Sequence, residues 1–510
     1  MILKQGSSPL TTFRKPGASS PLPLAQRTLQ AMAQQTCSTK CSLQETINLG
    51  DFYSVDDESI IVQIGQSFPD ELERLKNAEA VESTSQRSRV SNGAHARPSP
   101  SQILYGTDYD EVNRTLVGVL ALRWIQNDQY GTFVGGQPEG RKLTQESFNW
   151  LRKLFSAGLR TKEDLFALVM SMIINDLGKD PELETDYYLQ MQSENKTLHG
   201  QNHDIVLLEA ARAGMIPCLS RLDEQLREDV MLGLELGSEL NAGQLAQAEN
   251  VPVNLEGLLH MRNHEHAFEL KFMEQILDMA GSGGHTDYTC AKTLNEPVFQ
   301  GFKTVHEVSR DVIEGNSDLR RAYDRILVKR SDLLQNAGFR RLSVSKPGER
   351  ALLRLLTMGR TADEKQADLF NQAFEALDDC DKQQLVTGLN IDGTDNETAV
   401  LPYYMPAMLS ETLENMKEEP AEHQVRALSS LMRYLAKVLD HQNEGRIDTV
   451  PEDGEVVNTQ IAPGIVIERN MLMARATLSS DAFKINPDIL NTLDIPPGQV
   501  LQRRRTSHSL

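Results

Sequence analysis

Cysteine is scarce: five residues, at positions 37, 41, 218, 290 and 380 of 510, are too few and too scattered to staple a fold, and their odd number fits a reducing compartment. Cys37 and Cys41 lie in a polar tail without the second pair that a structural zinc site needs. Long hydrophobic runs are missing as well. No stretch approaches 18 uncharged apolar residues, and the N-terminus has no continuous apolar core, so neither a transmembrane helix nor a secretory signal is expected and the expected location is the cytoplasm. Positive charge is in deficit. With 52 Lys and Arg against 72 Asp and Glu, the net charge of -20 opposes polyphosphate and anionic lipid surfaces at long range, so no nucleic-acid and no membrane partner is expected. Familiar catalytic motifs are absent too. There is no GxSxG, no HExxH and no CxxC pair, GGQPEGRKLT at 135–144 lacks the spacing and strand context of a phosphate-binding loop, and NIDGTDNE at 390–397 lacks the ligand order of an EF-hand.

What is present divides unevenly. Hydrophobic residues make up 39% of the chain, below the roughly 45–50% of a fully globular sequence, and mean hydropathy is -0.40. Part of the chain is therefore expected to stay unfolded. Before Glu45 there are five basic residues (Lys4, Arg14, Lys15, Arg27 and Lys40) and no acid. That is the composition of a mitochondrial presequence, but Pro9, Pro16, Pro21 and Pro23 break the amphipathic helix an import receptor reads. The run TSQRSRVSNGAHARPSPSQ at 84–102 has no apolar period and reads as a linker. Residues 1–102 are thus expected to be a disordered N-terminal region and linker, 103–441 an all-α domain, and 442–510 an irregular C-terminal extension that partly docks on the helices. Within 103–441 the apolar spacing predicts helices at roughly 108–127, 144–157, 162–177, 203–214, 218–238, 264–280, 303–314, 318–336, 348–358, 362–378, 404–417 and 421–441.

Seven of the eleven histidines fall between His199 and His306, where even spreading predicts about two. More informative is where single polar groups fall on their helices. In TKEDLFALVMSMIINDLGK, Thr161 and Asp164 make a capping box and Gly178 a stop, and Asp176 shares a stripe with Leu165, Val169 and Met172. A carboxylate buried at a helix C-terminus is penalised by desolvation and by the helix dipole, so it needs a cation: Lys179 or a metal ion. In NHEHAFELKFMEQILDMAG, residues 263–281, Glu265, His266 and Glu269 fall inside the apolar arc near its first turn, while Lys271, Glu274, Gln275 and Asp278 form the solvent face. His266 and Glu269, three residues apart, are placed to address one point as metal ligands or as an acid–base pair. Asn202 caps a helix that opens with His203 and Asp204; His199 belongs to the loop leading in.

The run LVMSMIINDLGKD, 168–180, resembles the HD-domain superfamily, in which an apolar helix ends in His-Asp followed by a small or apolar residue, Gly and Lys; Asn175 stands where that family has histidine. The resemblance implies an HD-like helical fold that binds one or two divalent metals through histidines and aspartates of successive helices, in enzymes that are mainly phosphohydrolases with a branch of di-iron oxygenases. Carried onto this chain, Asp176 matches the family aspartate, His203 or His199 the next histidine, and one of His260, His264 and His266 the one after. The family's first histidine has no counterpart, since only His95 precedes the motif. The implied cofactor is a divalent metal (Fe, Mn or Zn) on Asp176, His203 and His266, with His199 and His264 as further ligands and Glu265, Glu269 and Lys179 as catalytic groups acting on a small-molecule substrate by hydrolysis or oxygenation. In overall cast the chain is also similar to uncharacterised fungal proteins, some encoded beside enzymes of secondary metabolism. The alternative is a non-catalytic, degenerate HD-like scaffold or regulator in which the buried polar groups form a satisfied network.

Overall fold

The computed structural model describes residues 42–82, 97–191, 198, 202–394, 399–402, 405–440, 464–466, 474–478, 480–493 and 499–500. The chain is all-α. Its principal helices are α1 (Leu43–Leu49), α2 (Asp57–Ser67), α3 (Pro69–Glu82), α4 (Pro100–Tyr105), α5 (Asp110–Gln126), α6 (Gln145–Gly158), α7 (Lys162–Ile174), α8 (Pro181–Gln190), α9 (His203–Arg212), α10 (Glu224–Glu239), α11 (Glu265–Gly281), α12 (Glu296–Ile313), α13 (Leu319–Asn336), α14 (Pro347–Met358), α15 (Glu364–Glu375), α16 (Asp379–Asn390), α17 (Met405–Asn415) and α18 (Ala421–Asp440). Three strands, β1 (Ala399–Leu401), β2 (Gly464–Val466) and β3 (Gln499–Val500), form a small sheet in which β2 lies parallel to β1 and antiparallel to β3. Among the described residues no helix is long and apolar enough to cross a membrane.

The helix starts follow from local chemistry. Ser42, Ser99 and Thr161 each accept a backbone N–H three residues on, and Glu45, Gln102 and Asp164 return the bond, so the capping box read at Thr161 is formed. Packing is centred on α11, which touches α5, α6, α7 and α10. It buries Phe268, Met273, Ile276 and Leu277 on several sides rather than along one stripe. Its C-terminus crosses α5 so closely that a Cβ on Gly281 would meet the Arg114 carbonyl oxygen at 2.2 Å and the Gly118 nitrogen at 2.6 Å. A second bundle forms where α18 packs on α15 and α16, and α13 and α14 join it to the first through α12.

The folded part starts far earlier than residue 103. Helices α1 to α3 belong to the same core: Ile47, Ile60, Ile64, Phe68, Leu72 and Leu75 are buried within it. Arg74 on α3 pairs with Asp180 at 2.9 Å and Asp186 at 2.7 Å, and Arg123 on α5 donates to the carbonyls of Phe52 and Val55 and to Asp57. Ile60, Ile61, Ile64, Phe68, Leu72 and Leu75 do recur at helical spacing, but the acids Asp56, Asp57, Glu58, Asp70, Glu71 and Glu73 stand among them, so the average over this stretch resembles that of the polar tail before it. Of the region expected to be disordered, residues 1–41 and 83–96 lie outside the described residues. At the other end, Phe483 and Leu490 are buried, and Ser430 on α18 donates to the Pro487 carbonyl at 2.7 Å, so the described part of the C-terminal extension is packed against the helices. Helices α8 and α16 stand where no helix was expected.

Candidate functional site

The apolar helix α7 ends at Ile174, and the chain turns through a short 3-10 segment, Leu177–Lys179, before α8. This turn lies against the first residue of α9. A Cβ on Gly178 would come within 1.9 Å of the His203 carbonyl oxygen, so the glycine is demanded by close backbone approach and not by a left-handed cap. Gly178→Ala is therefore expected to push the Leu177–Lys179 turn and α9 apart and lower stability by about 1–3 kcal/mol; a thermal midpoint unchanged from the parent chain would refute that role.

Asp176 is buried, as its stripe predicted, and its cation is Lys179: Oδ1 lies 3.0 Å from Nζ. The same ammonium reaches Glu111 Oε1 at 3.1 Å, while Glu111 Oε2 accepts from Arg114 Nη1 at 2.8 Å. Glu111 and Asp176 act on one another as neighbouring acids, with the proton favoured on Glu111 and disfavoured on Asp176. Burial first, then the neighbouring Asp176, push Glu111 up to about 8 against the pull of Lys179 and Arg114. Burial also opposes the Asp176 charge, but Lys179, the bond from Glu111, Arg114 and His203 outweigh it and hold that carboxyl well below its usual range. For Lys179, the cost of burial is overcome chiefly by Asp176, so the ammonium stays charged.

A second buried pair extends the cluster along α11. Lys271 Nζ lies 2.5 Å from Glu274 Oε2 and 3.5 Å from Asn175 Oδ1, and burial pushes Glu274 up to about 7 despite Lys271. Asp278, one turn further, is raised by burial and then by Asp176. Lys271 and Glu274 were expected on a solvent face; instead α10 covers that side, with Gly233 and Gly237 leaving room for the lysine stem. No local signal in the sequence marked this: seven of the seventeen residues of α11 are polar or charged, and their cover comes from α10.

The other expected site residues disperse. His266 sits between two carboxylates, Nδ1 2.7 Å from Asp229 Oδ2 and Nε2 3.3 Å from Asp164 Oδ1. Asp164 opens α7 and Asp176 follows its end, so twelve residues at about 1.5 Å each separate His266 from Asp176 by about 18 Å along the axis. Glu269 goes elsewhere: burial opposes its charge, yet His306 at 3.1 Å and Arg310 at 3.0 Å hold it below its ordinary value. The two side chains three apart on α11 are thus taken by different neighbours, α10 with α7 on one side and α12 on the other. Glu265 is exposed rather than buried, and His264 is the residue preceding α11 and makes no cap bond. His203 Nε2 lies 3.9 Å from Asp176 Oδ1 and 3.8 Å from Asp204 Oδ1, with its side chain 39% exposed. His199 lies outside the described residues. A cleft of about 480 Å³ opens at the far end of α7, lined by residues including Asn48, Phe166, Arg221 and Leu226, and shares no residue with this cluster.

A family profile spans most of this architecture. It covers residues 61–490 and is described as a family of unknown function, DUF6829. The chain belongs to the DUF6829 family. Neither a curated protein nor a solved structure matches it. The matched span of the DUF6829 chain opens inside α2 and runs into the packed part of the C-terminal extension, while the continuous core reaches further back, to Leu43 on α1. Both lysine pairs and the acids around them fall inside it.

The metal implied by the HD resemblance does not fit the donors of the DUF6829 chain. The Asp176 carboxylate is engaged by an ammonium and by Glu111, and His266 is a helix length away in its own carboxylate pair. Among the described residues no three His, Cys, Asp or Glu side chains are arranged to hold an ion.

Proposed function

We propose that the chain is a non-catalytic HD-like helical scaffold or regulatory protein whose polar centre is closed by its own lysines. One observation carries this reading: Lys179 Nζ stands 3.0 Å from Asp176 and 3.1 Å from Glu111, supplying internally the positive charge that Asp176 needs. Lys271 does the same for Glu274, so the buried charges are compensated without a bound ion. Such a network fixes the relative placement of α5, the α7–α8 turn and α11, which is a structural role.

The test is metal content of the full chain, purified without a histidine tag or chelator and then reconstituted with iron, manganese or zinc. Far less than one ion per chain is expected, together with a lowered thermal midpoint in Asp176→Asn. A second reading, a metal-dependent enzyme of HD-like fold acting on a small molecule by hydrolysis or oxygenation, is favoured by the place of His203 beside Asp176 and Asp204, half open to solvent. Near-stoichiometric metal that is lost in Asp176→Asn and in His203→Ala would replace the first reading by the second.

A further inference from the structure

Arginine stands both three and two residues ahead of a serine or threonine at three places in the chain, Ser343, Thr506 and Ser507. Of these, Ser343 lies within the described residues, in the stretch 337–346 that joins α13 to α14 without helix or strand. Arg340 and Arg341 project into solvent, their side chains 47% and 68% exposed, and the Arg341 guanidinium comes no nearer to an acid than 3.8 Å, at Asp332. With Lys346 they make three cations between positions 340 and 349 against one acid, Glu349, on a chain whose total charge is -20.

Among the described residues, the Ser343 hydroxyl bonds only within its own turn. Its Oγ lies 2.8 Å from Ser345 Oγ and accepts from the Ser345 N–H at 3.3 Å, and the Lys346 N–H closes the turn on the Ser343 carbonyl at 3.3 Å. Two firmer anchors flank it. Leu342 is buried and exchanges both its backbone bonds with Ser331 Oγ, at 3.0 and 3.1 Å, and the Ser343 N–H donates to Glu349 Oε2 at 2.7 Å. Laying this stretch out in the groove of an enzyme therefore breaks one turn and two anchors, and neither flanking helix has to unwind. A phosphoryl group on Oγ adds a charge of about -1.5 to -2 and three acceptor oxygens. It stands as a like charge beside Glu349 and competes for Lys346 and Arg340, which meet Glu349 Oε1 at 3.2 and 3.4 Å. Glu349 lies in the first turn of α14, whose Arg350 and Arg354 reach Asp324 at 2.8 Å and the Ala248 carbonyl at 3.0 Å, so the modification bears on a helix that ties separate parts of the core together.

We propose that Ser343 is phosphorylated by a serine/threonine kinase that selects arginine three and two residues ahead of the acceptor, through carboxylates in its substrate groove. ATP supplies the group: Ser343 Oγ bonds to the γ-phosphorus, the bond from that phosphorus to the β–γ bridging oxygen breaks with its electron pair leaving on ADP, and the hydroxyl proton passes to the base of the kinase. The site is separate from the Asp176 cluster and does not depend on the reading given to that cluster. Incubation of the full chain, folded or heat-denatured, with the catalytic subunit of cyclic-AMP-dependent protein kinase and magnesium ATP tests it, with peptide mapping to separate Ser343 from Thr506 and Ser507. The folded chain is expected to take up phosphate at Ser343, and Arg341→Gln to slow that uptake on the order of tenfold. The thermal midpoint of Arg341→Gln is expected to match the parent, since the contact with Asp332 is long and exposed, so a slower rate there is not a folding defect. Ser331→Ala, which frees the backbone of Leu342, is expected to speed the uptake. No phosphate at Ser343 in the folded chain, uptake there only after denaturation, or equal rates in Arg341→Gln and the parent would overturn the proposal.

Discussion

Lys179→Met is expected to cost about 3–5 kcal/mol of stability, the scale for removing one partner of a buried ion pair. The loss is large because the ammonium serves two acids: without it, Asp176 and Glu111 face each other with Arg114 as the nearest remaining cation. Side-chain exposures of 15% for Lys179, 9% for Asp176 and 5% for Glu111 leave little solvent to compensate. The double variant Asp176→Asn with Lys179→Met is expected to recover a substantial part of the loss, since it removes the orphaned charge together with its partner. Denaturant unfolding of the two single variants and the double variant reads this directly. Additive losses, or a Lys179→Met midpoint equal to the parent, would show that the pair is wet and of little weight.

The second large effect is a fall in stability as the pH rises. The folded chain holds a proton on Glu111 until about pH 8 and on Glu274 until about pH 7, whereas the unfolded chain releases both near 4.5. Between those limits the unfolded state binds fewer protons than the folded one, so the stability present below pH 4.5 is progressively lost as the pH climbs through the folded values. Each tenfold difference in proton affinity is worth about 1.4 kcal/mol, so the decline is expected to be on the order of a few kcal/mol. Asp176 acts at the opposite end: its carboxyl is held low, so its contribution is present above 3.8 and fades only in strong acid. Thermal midpoints from pH 5 to pH 9 should therefore slope downward in the parent chain. The slope should flatten in Glu111→Gln and flatten further when Glu274→Gln is added. An identical slope in the double variant would locate the titration elsewhere.

The parts of the site legible in the sequence were those decided within one turn of chain. The Thr161–Asp164 capping box, the Asn202 cap ahead of His203 and the burial of Asp176, with Lys179 three residues on as one of two candidate cations, all depend on backbone geometry that a short segment carries by itself. Lys271 and Glu274 were misread because a charged face is wet only if no other helix covers it, and α10 covers this one. Glu265 erred in the other direction: its place on the arc was right for a long buried helix, but the first turn of α11 projects past the core.

The sequence by itself determined that this is a helical protein, where most of its longer helices run between residues 103 and 441, and that one buried acid required a cation. Those conclusions rest on apolar periodicity and on the cost of burying charge, which are properties of segments. Only the tertiary structure decided which cation closes the site, that Glu111 from a helix some 65 residues away shares the Lys179 ammonium with Asp176, and that His266 and Glu269 part company. It also decided that α1 to α3 belong to the core. Each of these depends on which faces meet, and a segment whose apolar residues are diluted by its own solvent side discloses that only when its partner is in place.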